Sequence, residues 1–417
     1  MNNFLSIFKT EKSKQQICNY GTSVDQFIAS IVLSAVGDAL GYKNGSWEFS
    51  KNGEYIMKEA EELGGVMNLE LKLPEWTLSD DTIMHIATAK ALLSDWFSKK
   101  EFHVDLEKKL YPKICEEYVI CWSDMTGRAP GIQCANAMPL LKSGKWNHLN
   151  FSGSGGGCGA AMRAMCIGLL LHKADPQKDP VSLELLIAIG IESGRMTHNH
   201  PTGFLGSVVA ALFTAYAVQK VPLSLWGYKL IHEVLPLCYE YLKHSKRNWT
   251  EYSQGNNLKY FEEQWEKYLK LRKINSGKPE EPVFPEQFGF AERDAFYKSV
   301  SFSGWGGSSG HDSVLIAYDA LLGCKGSWEE FCLRGALHGG DSDSTAAIGG
   351  AWFGVLYGFQ GVPKNHYEKL EYREILEDLA RRLYDTTVQF YAVKDGQQTP
   401  AQQAESNDNS NTTAEQK

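Results

Sequence analysis

Two aspartates separated by one residue form the pattern in this chain that is most able to do chemistry. Asp341 and Asp343 follow two glycines, alternate with Ser342 and Ser344, and precede an apolar run with a helical pattern. Two neighbouring carboxylates repel each other unless a cation lies between them, so the pattern indicates a bound metal, a raised pKa or full solvation. Ligand atoms that are all oxygen suit Mg²⁺, Mn²⁺ or Ca²⁺ better than Zn²⁺. Alone, the pattern also fits a solvated turn whose serines cap a helix that begins near Thr345.

A second acidic cluster lies far upstream, in the stretch 79–82, whose sequence is Ser-Asp-Asp-Thr. Its first three residues offer two acids and one hydroxyl, as Asp341, Asp343 and Ser344 do, before an apolar helical pattern. The alternative interpretation is a helix cap with favourable acids in the first turn. Six oxygen ligands with bridging carboxylates would make a two-metal site, which can hold a water and polarise the displaced group. The predicted ligands are Ser79, Asp80, Asp81, Asp341, Asp343 and Ser344.

Two glycine-rich stretches, 153–159 and 303–310, also run directly into apolar helical patterns. Glycine-rich loops at helix N-termini expose backbone N–H groups and bind phosphates well. Singly, each stretch is better explained as a packing feature. Two acidic and two glycine-rich junctions together predict a site for a substrate that carries a diphosphate, with a metal-assisted reaction centre.

Four further residues could contribute to such a site. Asp38 lies inside an apolar helical pattern, where a carboxylate must be paired or hydrogen-bonded, either structurally or behind a metal. Glu48, beside aromatic residues, is a candidate general acid or base, although its local sequence is typical of a surface residue. His198 and His200 lack a third zinc ligand nearby, so a substrate contact or a hydrogen-bonded core histidine is favoured over zinc.

Helical periodicity supplies the elements that must position these residues. Apolar residues recur at helical spacing in 27–40, behind candidate caps at 22–25, and strand-like alternation is scarce. Similar patterns span 83–92, 160–171, 183–191, 203–218, 261–271, 314–322 and 346–357. The sequence therefore predicts an all-α fold, a compact orthogonal multi-helix bundle with a two-metal cleft formed at loop-to-helix junctions.

Composition limits the partners and the location. The chain has 417 residues and a net charge of −8, which disfavours nucleic acid as a partner. Its nine cysteines include no Cys-x-x-Cys pair, and this indicates reduced thiols in a cytoplasmic protein. No run approaches the roughly 18 apolar residues of a membrane span, so we expect no membrane partner.

The domain organisation follows from the same scan. Only the proline-rich stretch 274–287 resembles a linker, and helical patterns resume on both sides of it. We therefore predict an N-terminal extension over 1–22, one domain over 23–394 and a disordered polar tail over 395–417.

Six stretches resemble the ADP-ribosyl hydrolase family, and within it most closely the ADP-ribosyl-arginine hydrolase branch. The resemblance extends from about Val24 to about Tyr384. The stretches are 33–42 (LSAVGDALGY), 79–82 (SDDT), 156–165 (GGCGAAMRAM), 192–198 (ESGRMTH), 304–312 (GWGGSSGHD) and 338–345 (HGGDSDST).

The resemblance implies an all-α fold and a two-Mg²⁺ centre held by the six ligands named above. It also implies hydrolysis of the bond between ADP-ribose and arginine side chains of proteins. The reactive acids would be Asp80, Asp81 and Glu48, with Asp80 or Asp81 the first choice for the base that deprotonates water. The residues implied to bind ADP-ribose are Gly156, Gly157, Cys158 and Gly159 at the diphosphate, Met196, Thr197 and His198, and Phe302, Ser303, Gly304, Trp305 and Gly306 beside the adenosine half. We expect a monomer whose partners are ADP-ribosylated proteins and the product ADP-ribose.

Two other functions compete with this one. A non-catalytic relative that binds ADP-ribose or acts as a scaffold is disfavoured by the intact acid pairs. A sister hydrolase would act on serine-linked ADP-ribose or on its polymers. The stretches 195–198 and 304–309 favour the arginine branch.

Overall fold

The computed structural model describes residues 22–97 and 102–396. Nearly all of the predicted extension and polar tail lies outside the described residues. Within these ranges the chain forms α-helices joined by short 3₁₀ and π segments and loops, and extended pairing is limited to three isolated bridges. The all-α prediction is therefore confirmed. Buried apolar side chains from Phe27 to Tyr391 form one continuous cluster. The domain boundaries at 23 and 394 stay a prediction.

The helices of the first half are α1 (Val24–Tyr42), α2 (Gly53–Glu62), α3 (Asp80–Leu92), α4 (Phe102–Asp105), α5 (Tyr111–Cys121), α6 (Ile132–Lys142), α7 (Met165–Leu170), α8 (Pro180–Arg195) and α9 (Pro201–Val218). Those of the second half are α10 (Trp226–Lys229), α11 (Leu235–Ser245), α12 (Trp249–Ser253), α13 (Lys259–Arg272), α14 (Phe290–Val300), α15 (Asp312–Cys324), α16 (Trp328–Gly335), α17 (Ser342–Tyr357) and α18 (Arg373–Asp395).

Helices α1 and α17 lie antiparallel and in very close contact at the centre of the protein. A Cβ atom on Gly37 would lie 2.1 Å from the carbonyl oxygen of Ala346. Likewise, a Cβ atom on Gly350 of α17 would lie 2.3 Å from the carbonyl oxygen of Leu33 on α1. These distances are far below van der Waals contact, so only glycine allows the two backbones to approach this closely.

The apolar character of the central helices reflects their burial. By length and composition, Val24–Gly45 and Pro201–Val218 could cross a membrane, so the expectation that no run approaches that length is wrong for these two. The structure buries 83% of the apolar window of the first and 100% of that of the second. A helix enclosed on all sides has no polar face, which explains why their sequences resemble membrane spans.

Two predicted helix boundaries are wrong. The pattern 160–171 is not one helix, because a 3₁₀ turn at Cys158–Ala160 is followed by a loop and α7 begins only at Met165. Helix α17 begins at Ser342 rather than near Thr345, and its N-cap residue makes no side-chain capping bond. The Ser342 hydroxyl instead donates to the carbonyl oxygen of Gly41, 3.1 Å away on α1. The serine that was expected to cap α17 therefore joins the two central helices.

We expect Gly37→Ala to lower the free energy of unfolding by about 1–3 kcal/mol, because the added methyl group forces α1 and α17 apart. This is the net loss, after the gain of about 1 kcal/mol that alanine brings to a helix interior. Urea unfolding followed by circular dichroism would measure it. Gly153→Ala is the matched control, since a Cβ atom there meets nothing within 4 Å. Equal stability of the two variants would contradict the close contact.

Candidate metal centre

The loop-to-helix junctions singled out in the sequence meet through backbone hydrogen bonds. The amide of Asp341 donates to the carbonyl oxygen of Gly306 over 2.9 Å, and the amide of Cys158 donates to that of Ser308 over 3.1 Å. The loop 303–310 therefore lies between the acidic stretch before α17 and the glycine-rich stretch 153–159. Residues that are about 180 positions apart in the chain line one site.

The start of α3, which carries the other acidic cluster, is fixed by Asp38 of α1. The Asp38 carboxylate is fully buried and accepts hydrogen bonds from the amides of Ser79 (3.0 Å) and Thr82 (3.1 Å). It also accepts a short hydrogen bond from the Thr82 hydroxyl. Burial raises the pKa of Asp38 to about 6, although these bonds oppose the rise. The partners that a buried carboxylate requires are thus provided by the N-terminus of α3.

Three buried carboxylates meet beside that helix. Glu48, Asp341 and Asp343 each offer an oxygen atom, and these atoms all lie within 4.8 Å of one another. The interpretation of Glu48 as a surface residue is wrong, because only 9% of it is exposed. A 3₁₀ turn at Lys43–Gly45 returns the chain to the cleft, and the Trp305 indole donates to the Glu48 carbonyl oxygen over 3.3 Å.

Asp80 and Asp81 are also buried and add negative charge to this cluster. Burial, together with Asp341, Asp80 and Asp38, raises the pKa of Glu48 to about 10. The pKa values of Asp80, Asp81 and Asp343 are raised well above the usual range by burial and by the neighbouring carboxylates. Such a cluster must hold protons or bind positive charge.

Two buried oxygen atoms of the cluster lack any partner. Within the part of the chain that the structure describes, Glu48 Oε2 and Asp81 Oδ2 have no hydrogen-bond donor. An unpartnered buried carboxylate oxygen is costly, and a divalent cation would satisfy it. Because every candidate ligand atom is oxygen, the donor set fits a hard cation such as Mg²⁺.

The glycine-rich stretch 153–159 lies over His198. A Cβ atom on Gly159 would lie 2.6 Å from Cε1 of that histidine, so the close approach requires glycine. The Cys158 thiol donates to Asp341 Oδ2 over 3.2 Å, a contact that nothing in the sequence indicated. Gly156, Gly157 and Cys158 are partly exposed to the cleft, whereas Gly159 is buried.

Residues 196–198, which the resemblance implies to contact ADP-ribose, are buried. Met196 and Thr197 are fully buried and His198 is 3% exposed, so in this structure they lie beneath the cleft rather than on its wall. Arg163 Nη2 donates to the Thr197 hydroxyl over 2.8 Å, and this hydroxyl also bonds to His198. Core side chains surround Met196 and Thr197, and their contact with a ligand stays a prediction.

The two histidines do not form a metal site. His200 caps α9, and its Nδ1 accepts from the amide of Thr202 over 3.1 Å. Among residues 22–97 and 102–396 one group of side chains is able to hold a metal ion, and it includes neither His198 nor His200. The preference for hydrogen-bonded histidines over zinc ligands agrees with this geometry.

Aromatic side chains form the exposed edge of the cleft next to Glu48. Phe302 is 71% exposed, and Ser303 and Gly304 are exposed beside it. The ring of Trp305 lies 6.0 Å from that of Phe49. Phe49 was not singled out in the sequence, although its position next to Glu48 was a usable signal.

Tyr42 is a second residue that the sequence did not single out. It lies one helical turn after Asp38, a spacing that puts both side chains on one face of α1. Its hydroxyl donates to the carbonyl oxygen of Gly127 over 2.9 Å. Burial, and then the nearby acids beginning with Glu48, raise its pKa. Tyr42 therefore joins the acidic cluster to the loop that precedes α6.

The chain is similar to known proteins over most of its length. A family model described as ADP-ribosylglycohydrolase matches residues 21–391. The chain is 46% identical over 404 residues to ADP-ribosylhydrolase ARH1 of Dictyostelium discoideum, covering 91% of this chain and 98% of that protein. It is 23% identical over 389 residues to ADP-ribosylhydrolase ARH3 of Xenopus tropicalis, covering 87% and 95%. A solved structure described as an ADP-ribosylglycohydrolase-related protein complex has the same fold, with a TM-score of 0.51, 19% identity, and coverage of 87% of this chain and 98% of that chain.

We expect divalent metal binding to release protons near neutral pH. Carboxyl groups with raised pKa values hold protons in the metal-free protein and must lose them to become ligands. Apparent Mg²⁺ affinity should therefore increase with pH, and fewer protons should be released as the pH approaches the raised pKa of about 10 at Glu48. Calorimetric titration in two buffers of different ionisation enthalpy, at about pH 6.5 and about pH 8.5, would count the protons.

Glu48→Gln provides the control for this measurement, because it removes one proton-binding group and should reduce the number released. Identical binding heats in both buffers for the unchanged protein would mean that no proton leaves. The cluster would then be fully ionised before the metal binds, contrary to the raised pKa values.

Proposed function

The chain belongs to the ADP-ribosylglycohydrolase family, and from this premise we propose that it is a Mg²⁺-dependent hydrolase that removes ADP-ribose from arginine side chains of proteins. The observation that carries the proposal is the buried cluster of Glu48, Asp341 and Asp343, joined by Asp80 and Asp81 at the start of α3. A hydrolase that cleaves an N-glycosidic bond needs negative charge and a proton acceptor at the ribosyl carbon, and this cluster provides both.

We propose two Mg²⁺ ions as cofactors, with ligands Ser79, Asp80, Asp81, Asp341, Asp343 and Ser344. When bound, the ions would supply positive charge that acidifies a water molecule and polarises the ribose. Glu48 lies among these ligands and is a candidate for either a further ligand or the base. The all-oxygen donor set supports Mg²⁺ over softer metals.

The side chains of the cluster then handle the proton of the attacking water. A carboxylate accepts that proton while the water oxygen bonds to the ribosyl carbon and the carbon–nitrogen bond to the guanidine breaks. The proton is finally returned to the departing arginine nitrogen. Asp80 and Asp81 were the first choice for the base. Glu48 Oε2 has no hydrogen-bond donor among the described residues, and Glu48 is not one of the six proposed ligands, so its lone pair supports Glu48 as the other candidate for the base.

The remaining contacts to ADP-ribose follow from the walls of the cleft. We propose that the backbone at Gly156–Cys158 binds the diphosphate, since these residues are partly exposed and lie next to Asp341. The exposed edge of Phe302 and Trp305 would receive the adenosine half. His198, beneath the glycine-rich stretch, supports that backbone from below.

The arginine linkage is the finer part of the proposal. Support comes from the stretches 195–198 and 304–309, and from 46% identity to ARH1 against 23% to ARH3. A serine-linked substrate is the second candidate. The complete set of acids disfavours a non-catalytic ADP-ribose-binding protein. We further propose a cytoplasmic monomer, consistent with the eight free cysteines among the described residues.

We expect the protein to release ADP-ribose from ADP-ribosyl-arginine in the presence of Mg²⁺, and excess EDTA to abolish the release. Serine-linked substrate assayed side by side at equal concentration should react more slowly. Chromatographic measurement of free ADP-ribose decides both points. Faster turnover of the serine-linked substrate would instead assign the protein the sister activity, hydrolysis of serine-linked ADP-ribose. Binding of ADP-ribose without turnover of either substrate would favour the non-catalytic alternative.

We expect Asp343→Asn to reduce kcat/KM by at least roughly 100-fold, equivalent to about 2.7 kcal/mol of transition-state stabilisation, while the fold is retained. In EDTA the same variant should unfold at a higher temperature than the unchanged protein, because one of several mutually repelling buried carboxylates is removed. The folded-state pKa of Asp343 is raised, so its ionised form disfavours folding at pH values above the unfolded pKa. The gain in stability should therefore grow as the pH rises above about 4.

Asp385→Asn is the matched control, since this aspartate is exposed on α18 and far from the cleft in sequence. It should leave activity and unfolding temperature unchanged. Full activity of Asp343→Asn would refute the role of the cluster in metal binding and catalysis.

A further inference from the structure

A buried ion pair lies behind the acidic start of α3, formed by two residues that no motif includes. Arg128 Nη2 lies 2.8 Å from Glu371 Oε1, and Arg128 Nη1 lies 3.1 Å from Glu371 Oε2. The contact is thus bidentate, and the side chains are only 7% and 10% exposed. Removing two charges from water costs several kcal/mol, so a buried pair adds little net stability. A geometric role accounts better for its presence.

The ion pair binds both main-chain polar groups, the amide and the carbonyl oxygen, of Leu78, which precedes Ser79. Glu371 Oε2 accepts from the Leu78 amide over 2.9 Å, and Arg128 Nη1 donates to the Leu78 carbonyl oxygen over 2.7 Å. The backbone of Arg128 adds a third bond, because its carbonyl oxygen accepts from the amide of Asp80 over 3.1 Å. The ion pair therefore holds Leu78, and the backbone of Arg128 holds Asp80 on the other side of Ser79.

These bonds complete the hydrogen bonding at the start of α3. Asp38 accepts from the amides of Ser79 and Thr82 on the side facing α1. The Ser79 hydroxyl accepts from the amide of Asp81 over 3.1 Å. Each of the five consecutive amides thus has a specific acceptor, in the order Leu78 to Glu371, Ser79 to Asp38, Asp80 to Arg128, Asp81 to Ser79 and Thr82 to Asp38. The first N–H groups of a helix have no partner within the helix, and here protein acceptors supply one for each.

The ion pair is itself held in place by neighbours. Arg128 Nε donates to the Asp124 carbonyl oxygen over 2.8 Å, and the Tyr372 hydroxyl donates to Asp124 Oδ2 over 2.7 Å. Tyr372 follows Glu371 and has a left-handed backbone with φ of 58°. This conformation is strained for a non-glycine residue, and such strain persists where the surroundings require it.

We propose that Arg128 and Glu371 are positioning residues that set the backbone from Leu78 to Asp80, so that Asp80 and Asp81 direct their carboxylates at the metal. The inference rests on the proposed function and extends it to residues outside the cleft. Loss of the pair leaves the acids in place but frees the backbone that aims them. Partners of this kind that orient ligands without touching the metal commonly change metal affinity by about 10- to 100-fold.

Glu371→Gln is the variant that tests the proposal, because it removes the charge and keeps the size of the side chain. The matched control is Glu377→Gln on α18, whose carboxylate pairs with Arg373 over 2.6 Å and touches neither Leu78 nor Asp80. Hydrogen–deuterium exchange of peptides covering 76–83 in EDTA reports the backbone without metal or substrate. Calorimetry then gives the Mg²⁺ affinity, and steady-state kinetics give kcat and KM.

In Glu371→Gln we expect faster exchange over 76–83 and Mg²⁺ affinity lower by about 10-fold or more. Raising the Mg²⁺ concentration should restore kcat, and KM for the substrate should stay unchanged at saturating Mg²⁺. Glu377→Gln should match the unchanged protein in each measurement. Should Glu371→Gln fail to fold, Arg128→Lys replaces it, since lysine keeps the charge but cannot make the bidentate contact.

Unchanged exchange over 76–83 and unchanged Mg²⁺ affinity in the folded variants would overturn the positioning role. Equal changes in Glu377→Gln would overturn it as well. Whether the proposed function itself fails is tested separately, by measuring Mg²⁺ binding and hydrolysis with the unchanged protein. If that protein binds Mg²⁺ but hydrolyses neither substrate, exchange and affinity still decide the role of the pair. If it binds no Mg²⁺, the proposed function fails and the positioning role fails with it.

Discussion

The close antiparallel contact of α1 and α17 is the constraint on which the rest of the site depends. A Cβ atom on Gly41 would lie 2.3 Å from the amide nitrogen of Asp343, so the end of one helix touches the start of the other. This contact brings Asp38, one turn before Gly41, into the same region as Asp343. With wider helix spacing, Asp38 and the start of α3 that it binds would lie farther from the acids at the start of α17.

The second feature of the site is like charge held out of water. Glu48, Asp81 and Asp343 are buried together, and their raised pKa values reflect the cost of ionising them in that place. Helices α3 and α17 both begin at these acids, so the positive ends of two helix dipoles offset part of the repulsion. A bound cation would remove the remaining cost, so the repulsion among these acids favours cation binding at the cluster.

The surroundings of the cluster divide into a rigid side and an open side. On the rigid side Asp38, Arg128 and Glu371 bind the backbone at the start of α3 from two directions. On the open side the glycine-rich stretch 153–159 and the exposed Phe302 leave backbone and aromatic surface for a large ligand. A hydrolase benefits from this division, because reacting groups need fixed positions while the substrate must enter and leave.

The sequence alone determined the all-α class, the helix that follows Ser79, and the acidic and glycine-rich stretches, because helical periodicity and capping depend on residues within a few positions of one another. The resemblance to ADP-ribosyl hydrolases likewise rested on contiguous stretches such as 338–345. Three features are visible only in the tertiary structure. Glu48 is buried beside Asp341, and Met196 and Thr197 are buried in the core. Glu371 accepts a hydrogen bond from Leu78, which lies 293 residues away in the chain. Those contacts follow from how closely α1 and α17 pack and where the loops between helices return, and local patterning carries no information about either.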